Sequence, residues 1–132
     1  MHMSYYFSTI INDSFSNVLQ KATMALKNEG FGVLTEIDMK DTLKKKLGVD
    51  IAPYTILGAC NPQFAYQALQ AEDKIGTMLP CNVIIQEKEL GKIEVSAVDP
   101  AASMQAIHNE KLKEIASTVR AKMQNVIQQL IE

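Results

Sequence analysis

The hydrophobic positions along this chain change period several times, and each change marks an element. Tyr5 to Ile11 is a short β-prone run, after which Phe15, Val18, Leu19, Ala22 and Leu26 recur three and four apart. That spacing gathers side chains on one helical face. Asn12-Asp13-Ser14 offers N-cap candidates whose side-chain oxygens can accept from the free amides of the first turn. Gly30 stands where a left-handed residue closes a helix. Phe31 to Ile37 then alternates, which predicts a strand with Val33, Thr35 and Ile37 on one face and Leu34 and Glu36 on the other. Asp38 is placed to cap a second helix through Met39, Leu43 and Leu47 that stops at Gly48.

Pro53 introduces Tyr54 to Cys60, a nearly continuous apolar run of the kind found in strands covered on both sides. Asn61 fits an N-cap and Pro62 the first helical position, so Phe64 to Ala71 reads as a helix burying some of Phe64, Ala65, Ala68 and Leu69. After a loop around Gly76 and Pro80, Val83 to Gln86 and Lys92 to Val98 predict a hairpin turning at Glu89-Leu90-Gly91. Asn109 to Ile131 repeats apolar residues at Leu112, Ala116, Val119, Met123, Val126 and Leu130. The stripe is heptad-like but too short for a self-sufficient coiled coil, so it is expected to pack on the sheet, with a dimer seam as the lesser use. The order β-α-β-α-β-α-β-β-α implies a mixed α+β or α/β fold: one compact domain over residues 1–132, with a mixed sheet and packed helices.

Composition supports that reading and removes several functions. The chain has 132 residues, 47% of them hydrophobic, enough for one continuous core. A formal charge of −2 offers no basic field for phosphate backbones, so nucleic acid is not an expected partner. Lys44-Lys45-Lys46 falls at a helix end, where cations face the carbonyl end of the dipole. No apolar run reaches the ~18 residues a bilayer span requires, and no signal-peptide core is evident. A cytoplasmic protein with reduced thiols and no membrane partner is expected. Met1-His2, ahead of a second Met3, is set aside as a start that is native or appended, and His2 is left out of any site. There is no P-loop, no GxGxxG after a strand and no GxSxG, so no cofactor is expected and kinase and hydrolase readings lack their residues.

Four strings carry a resemblance: Gly30-Phe-Gly-Val-Leu-Thr-Glu-Ile-Asp38, Ile56-Leu-Gly-Ala-Cys-Asn-Pro62, Leu79-Pro-Cys-Asn-Val83 and Val98-Asp-Pro100. In order and over most of the chain, they resemble the family called domain of unknown function 302. The resemblance implies a compact α/β fold, often a homodimer, in bacterial and archaeal proteins without an established activity. Within the family the Asn-Pro and Leu-Pro steps are general, whereas a Cys before each Asn marks a subgroup that this chain resembles. The family brings no catalytic residues with it.

The candidate chemistry therefore rests on the residues. Cys60 is expected at the carboxyl end of a strand and just before the helix start at Asn61-Pro62, where free amides converge and can hold an anion or a thiolate. Cys81-Asn82 repeats the Cys-Asn step before a strand, and its thiol meets Cys60 only if those strands pair antiparallel. Glu36 and Asp38 share a strand face and could act as acid and base or bind a cation, although Asp38 already serves as a cap. His108 is expected in an exposed loop. Two cysteines without a nearby histidine do not make a closed zinc site in one chain, and no metal is assigned. Three readings stay open. The chain is a module binding a small anionic ligand at Cys60, Asn61, Pro62, Cys81, Asn82, Glu36 and Asp38; or a thiol protein in redox or sulfur transfer through Cys60 and Cys81; or an interaction domain with inert thiols.

Overall fold

A computed structural model describes residues 4–131. Five strands, β1 (Tyr6–Asn12), β2 (Gly32–Asp38), β3 (Tyr54–Cys60), β4 (Cys81–Glu89) and β5 (Lys92–Val98), form one sheet in the order β1-β5-β4-β3-β2. Five helices accompany them: α1 (Phe15–Asn28), α2 (Met39–Leu47), α3 (Pro62–Ala71), α4 (Pro100–Ser103) and α5 (Glu110–Ile131). A 3₁₀ turn spans Asp73–Met78. The architecture is a single α+β domain with the expected element order. The strand sense departs from expectation, since every pairing is antiparallel rather than mixed. The helices between β2, β3 and β4 are excursions that return to the neighbouring antiparallel strand. Only α1 carries the chain across the sheet, from β1 on one edge to β2 on the other.

The core lies between one sheet face and the helices. Leu57, Ala59, Val83, Ile85, Ile93, Val95 and Ala97 point inward and are buried. Against them lies the α5 stripe of Leu112, Ala116, Val119, Met123, Val126 and Leu130, all buried, joined by Ile115 and Ile127. The stripe is thus consumed within the chain, where α5 packs on α1, β1 and β5. Burial of each Leu, Ile, Val or Met in this stripe contributes about 1.5–3 kcal/mol. No helix of the described residues is long and apolar enough to cross a membrane.

The helix ends follow their cap chemistry. Ser14 opens α1, its hydroxyl accepting from Asn17 N at 3.1 Å. At the other end Gly30 has φ +86°, while Gly30 N donates to Lys27 O and Phe31 N to Leu26 O. This doubled return satisfies the last carbonyls and places Phe31 over Leu26, both buried. Asp38 caps α2 by accepting from Asp41 N at 2.9 Å, and Lys44, Lys45 and Lys46 occupy its last turn. Asn109 serves two helices: its Oδ1 accepts from Leu112 N at the start of α5, and its Nδ2 donates to Ala71 O at the end of α3.

Two local departures bear on the site. A bulge at Leu34 shifts the β2 register, so Val33 pairs with Ala59 but Thr35 with Gly58 and Glu36 with Leu57. The simple alternation expected for β2 is thereby inverted half-way: Val33 and Glu36 lie on the helix side, Thr35 and Ile37 on the other. Helix α4 was not anticipated. Its start repeats the Asn61-Pro62 grammar, with Asp99 Oδ1 accepting from Ala101 N and Ala102 N ahead of Pro100.

Candidate functional site

The end of β3 and the start of β4 lie side by side. Ala59 pairs with Cys81 and Gly58 with Asn82, so the condition for the two cysteines to meet is fulfilled. Gly58 makes this approach possible. A Cβ there would collide with Thr35 Oγ1 and stand 2.8 Å from Pro80 Cγ. Helices α3, α4 and α5 close over these strand ends and leave a cavity of about 240 Å³ between them. Its walls are almost entirely apolar: Phe31 and Leu34 from β2 and its approach, Phe64 and Ala65 from α3, and Leu112 and Ala116 from α5. Cys60, Asn61 and Cys81 supply the few polar groups.

The two thiols differ in setting. Cys60 is half-buried where β3 gives way to α3, whereas Cys81 is 9% exposed and points inward with Val83 and Ile85. Burial, reinforced by the neighbouring Cys60 sulfur, pushes the Cys81 thiol up to about 11. It is therefore protonated at neutral pH and available as a hydrogen-bond donor rather than as a nucleophile.

Asn61 occupies the N-cap of α3, but its side chain makes no capping bond, contrary to the sequence expectation. Its Nδ2 donates instead to Glu29 O at 3.4 Å and lies 3.1 Å from where a Cβ on Gly30 would stand. The amide is drawn away because the left-handed turn at Gly30 presents the Glu29 carbonyl to it. Asn61 thus joins the end of α1 to the start of α3, and Pro62, which lacks an N–H, follows at the first helical position.

The remaining expected site residues stand elsewhere. Asn82 is exposed on the opposite sheet face from Cys81, because adjacent strand residues alternate. Glu36 and Asp38 share one face, as expected, but both are exposed and neither lines the cavity. His108 is exposed in the loop before α5. His2 lies outside the described residues. Among those residues, no group of three or more His, Cys, Asp or Glu side chains gathers as metal ligands would.

Sequence reasoning missed the α5 wall, because a periodic apolar stripe looks the same whether it fills a core or lines a cavity. It also missed Asp99. This buried carboxylate caps α4, receives Arg120 Nε at 3.0 Å and holds the chain near β1, where its amide donates to Tyr5 O at 2.7 Å. Arg120 in turn lies over the Phe7 ring, 5.2 Å from its centroid. The Asp99-Pro100 step was the available signal.

The family model described as "Domain of unknown function DUF302" matches residues 7–130, which takes in β1 from its second residue, the other four strands and every residue of the cavity wall. The chain belongs to this family. A crystal structure of an uncharacterized conserved DUF302 protein from Bacillus stearothermophilus is similar to it, with a TM-score of 0.88 and 26% identity over 97% of this chain and 99% of that one. Among curated proteins, none matches. This chain and that DUF302 protein share the fold. Gly30, Asn61-Pro62, Pro80 and Asp99-Pro100, the residues that carried the resemblance, all lie around the strand ends that hold the cavity.

Proposed function

We propose that this DUF302 domain is a small-molecule binding module whose ligand has an apolar body in the cavity and one polar or acidic end at the start of α3. The observation that carries this is the cavity itself, about 240 Å³ and apolar, with Cys60 and Asn61 in its lining. Interiors normally pack without voids of this size, and a dry apolar space of about 150 Å³ accepts benzene, so roughly ten non-hydrogen atoms fit. The amides of Gln63 and Phe64 stand in the uncapped first turn of α3, and Lys122 Nζ lies 5.9 Å from the Phe64 ring centroid. Both favour an acidic end. Among the described residues no charged side chain lines the cavity, which favours an amphipathic ligand over a simple anion.

The thiol-redox reading is less favoured. A Cys81 thiol near 11 leaves about one molecule in ten thousand as thiolate at pH 7, which suits a resolving cysteine poorly. The test is a thermal-shift series of straight-chain carboxylic acids and alcohols from six to twelve carbons. A ligand at a hundred times its Kd adds about 2.7 kcal/mol, a shift on the order of 10 °C for a domain of this size. An optimum near eight to ten carbons that disappears in Ala65→Phe, which puts a large side chain on the cavity wall, supports the proposal. A flat response across the series rejects it.

A further inference from the structure

Two thiols share the wall of one apolar cavity, and their environments assign them opposite tasks. Cys81 is nine-tenths buried, and among the described residues its S–H has no hydrogen-bond partner. A thiol is a weak donor and loses little by standing unpartnered, but an occupant that brings an acceptor oxygen to it gains a hydrogen bond the apolar wall does not supply. Cys60 also lines this cavity, half-buried at the strand end one residue beyond Ala59, the partner of Cys81. An acceptor oxygen at one thiol and a carbon within reach of the other is the arrangement of a conjugated carbonyl: oxygen at one end, electrophilic β-carbon at the other.

We propose that the cavity captures α,β-unsaturated carbonyl compounds with an apolar tail, the β-carbon bonding covalently to Cys60 Sγ while Cys81 donates a hydrogen bond to the carbonyl oxygen. This rests on the binding reading above and specifies its ligand. The step is a conjugate addition. The Cys60 sulfur forms a bond to the β-carbon, the alkene electron pair moves through the α-carbon onto oxygen as an enolate, and the proton released from Cys60 ends on the α-carbon. Nothing leaves and no oxidant is needed. Cys81 keeps its proton throughout, and holding the reacting ends together in a dry site is what raises the rate over free thiol in water.

The probe is 3-nonen-2-one, with about the number of non-hydrogen atoms the cavity holds, compared with methyl vinyl ketone, which has the same reactive group and no tail. Rates at pH 7.5 come from intact mass, and the labelled residue from peptide mapping. Relative to N-acetylcysteine, the protein should favour the long enone over the short one by at least tenfold, with one adduct, on Cys60. Cys60→Ser should take no label. Ala65→Phe should lose the length preference. Cys81→Ala should slow the enone several-fold more than it changes the iodoacetamide rate. A preference no greater than that of free thiol, or an adduct on Cys81, overturns the proposal. Thermal shift of Cys60→Ser with the saturated 2-nonanone separates the two ideas. Stabilisation there with no enone preference in the parent protein removes covalent capture and leaves binding in place, and absence of both removes both.

Discussion

Replacing Cys81 with alanine should reverse the order of stability between the two proteins as pH rises. In the folded chain this thiol is held up to about 11 against an ordinary value of 9.0, so the folded state keeps the proton over a range in which the unfolded chain releases it. A raised value of this kind contributes stability that is complete below the unfolded pKa and is lost as pH climbs from about 9 to about 11. Two units correspond to about 2–3 kcal/mol. At pH 8 the parent should be ahead by roughly 1 kcal/mol, the cost of removing one buried sulfur from a site that already borders a cavity. By pH 11 that lead should have become a deficit of about 1–2 kcal/mol, because the alanine variant has nothing to ionise there. The assay is equilibrium urea unfolding of both proteins at pH 8, 9, 10 and 11 at constant ionic strength. Lysines and tyrosines titrate in both chains and cancel in the difference. Curves that run parallel over this range would refute the assignment of Cys81 as a buried, protonated thiol, and with it the donor role given to it above.

Other substitutions test the frame around the cavity. Asn61→Asp should destabilise by about 1–2 kcal/mol in thermal or urea melts, because a carboxylate cannot donate to Glu29 O; were Asn61 an ordinary cap, aspartate would serve equally well and the change would be near zero. Gly58→Ala should cost about 1–3 kcal/mol as Thr35 and Pro80 are pushed apart, and it should abolish the chain-length optimum in the ligand series by displacing the strand ends. Asp99→Ala should lose about 2–4 kcal/mol, since it removes the α4 cap and leaves Arg120 without its partner; Arg120→Ala should cost less because that side chain is partly solvated.

The legible part of the fold was the part set by local period and punctuation. The α1 and α5 stripes, the Gly30 and Gly48 stops and the hairpin at Leu90-Gly91 each depend on residues within a few positions of one another. Strand sense does not. A helix between two strands reads as a crossover until the pairing is known, which is why a mixed sheet was expected where α2 and α3 are excursions between antiparallel neighbours. The bulge at Leu34 was equally invisible, since Val33, Thr35 and Ile37 alternate as a regular strand would and only pairing with Gly58 reveals the extra residue. Of the candidate site, Cys60, Asn61 and Cys81 line one cavity, an outcome that hung on the strand pairing, whereas Asn82, Glu36 and Asp38 do not line it. The repeat misled at Asn82 because a dipeptide on a strand divides its side chains between two faces. It misled at Asn61 in another way, since a cap residue can be diverted by an acceptor thirty residues upstream.

The strand order also governs when the protein can become itself. Strands β2 to β5 pair with partners nearby along the chain, but β1 pairs only with β5, whose residues are made long after it. On a ribosome, β1 and its apolar edge must wait without a partner while most of the sheet is synthesised, and α5, which covers both strands, emerges last of all. Contacts between such distant segments form late because the chain between them must first be ordered. The two ends of the sequence therefore act as a latch: strands β2 to β4 can pair early, yet neither the cavity, walled by α5, nor the domain is complete until the first strand finds its last.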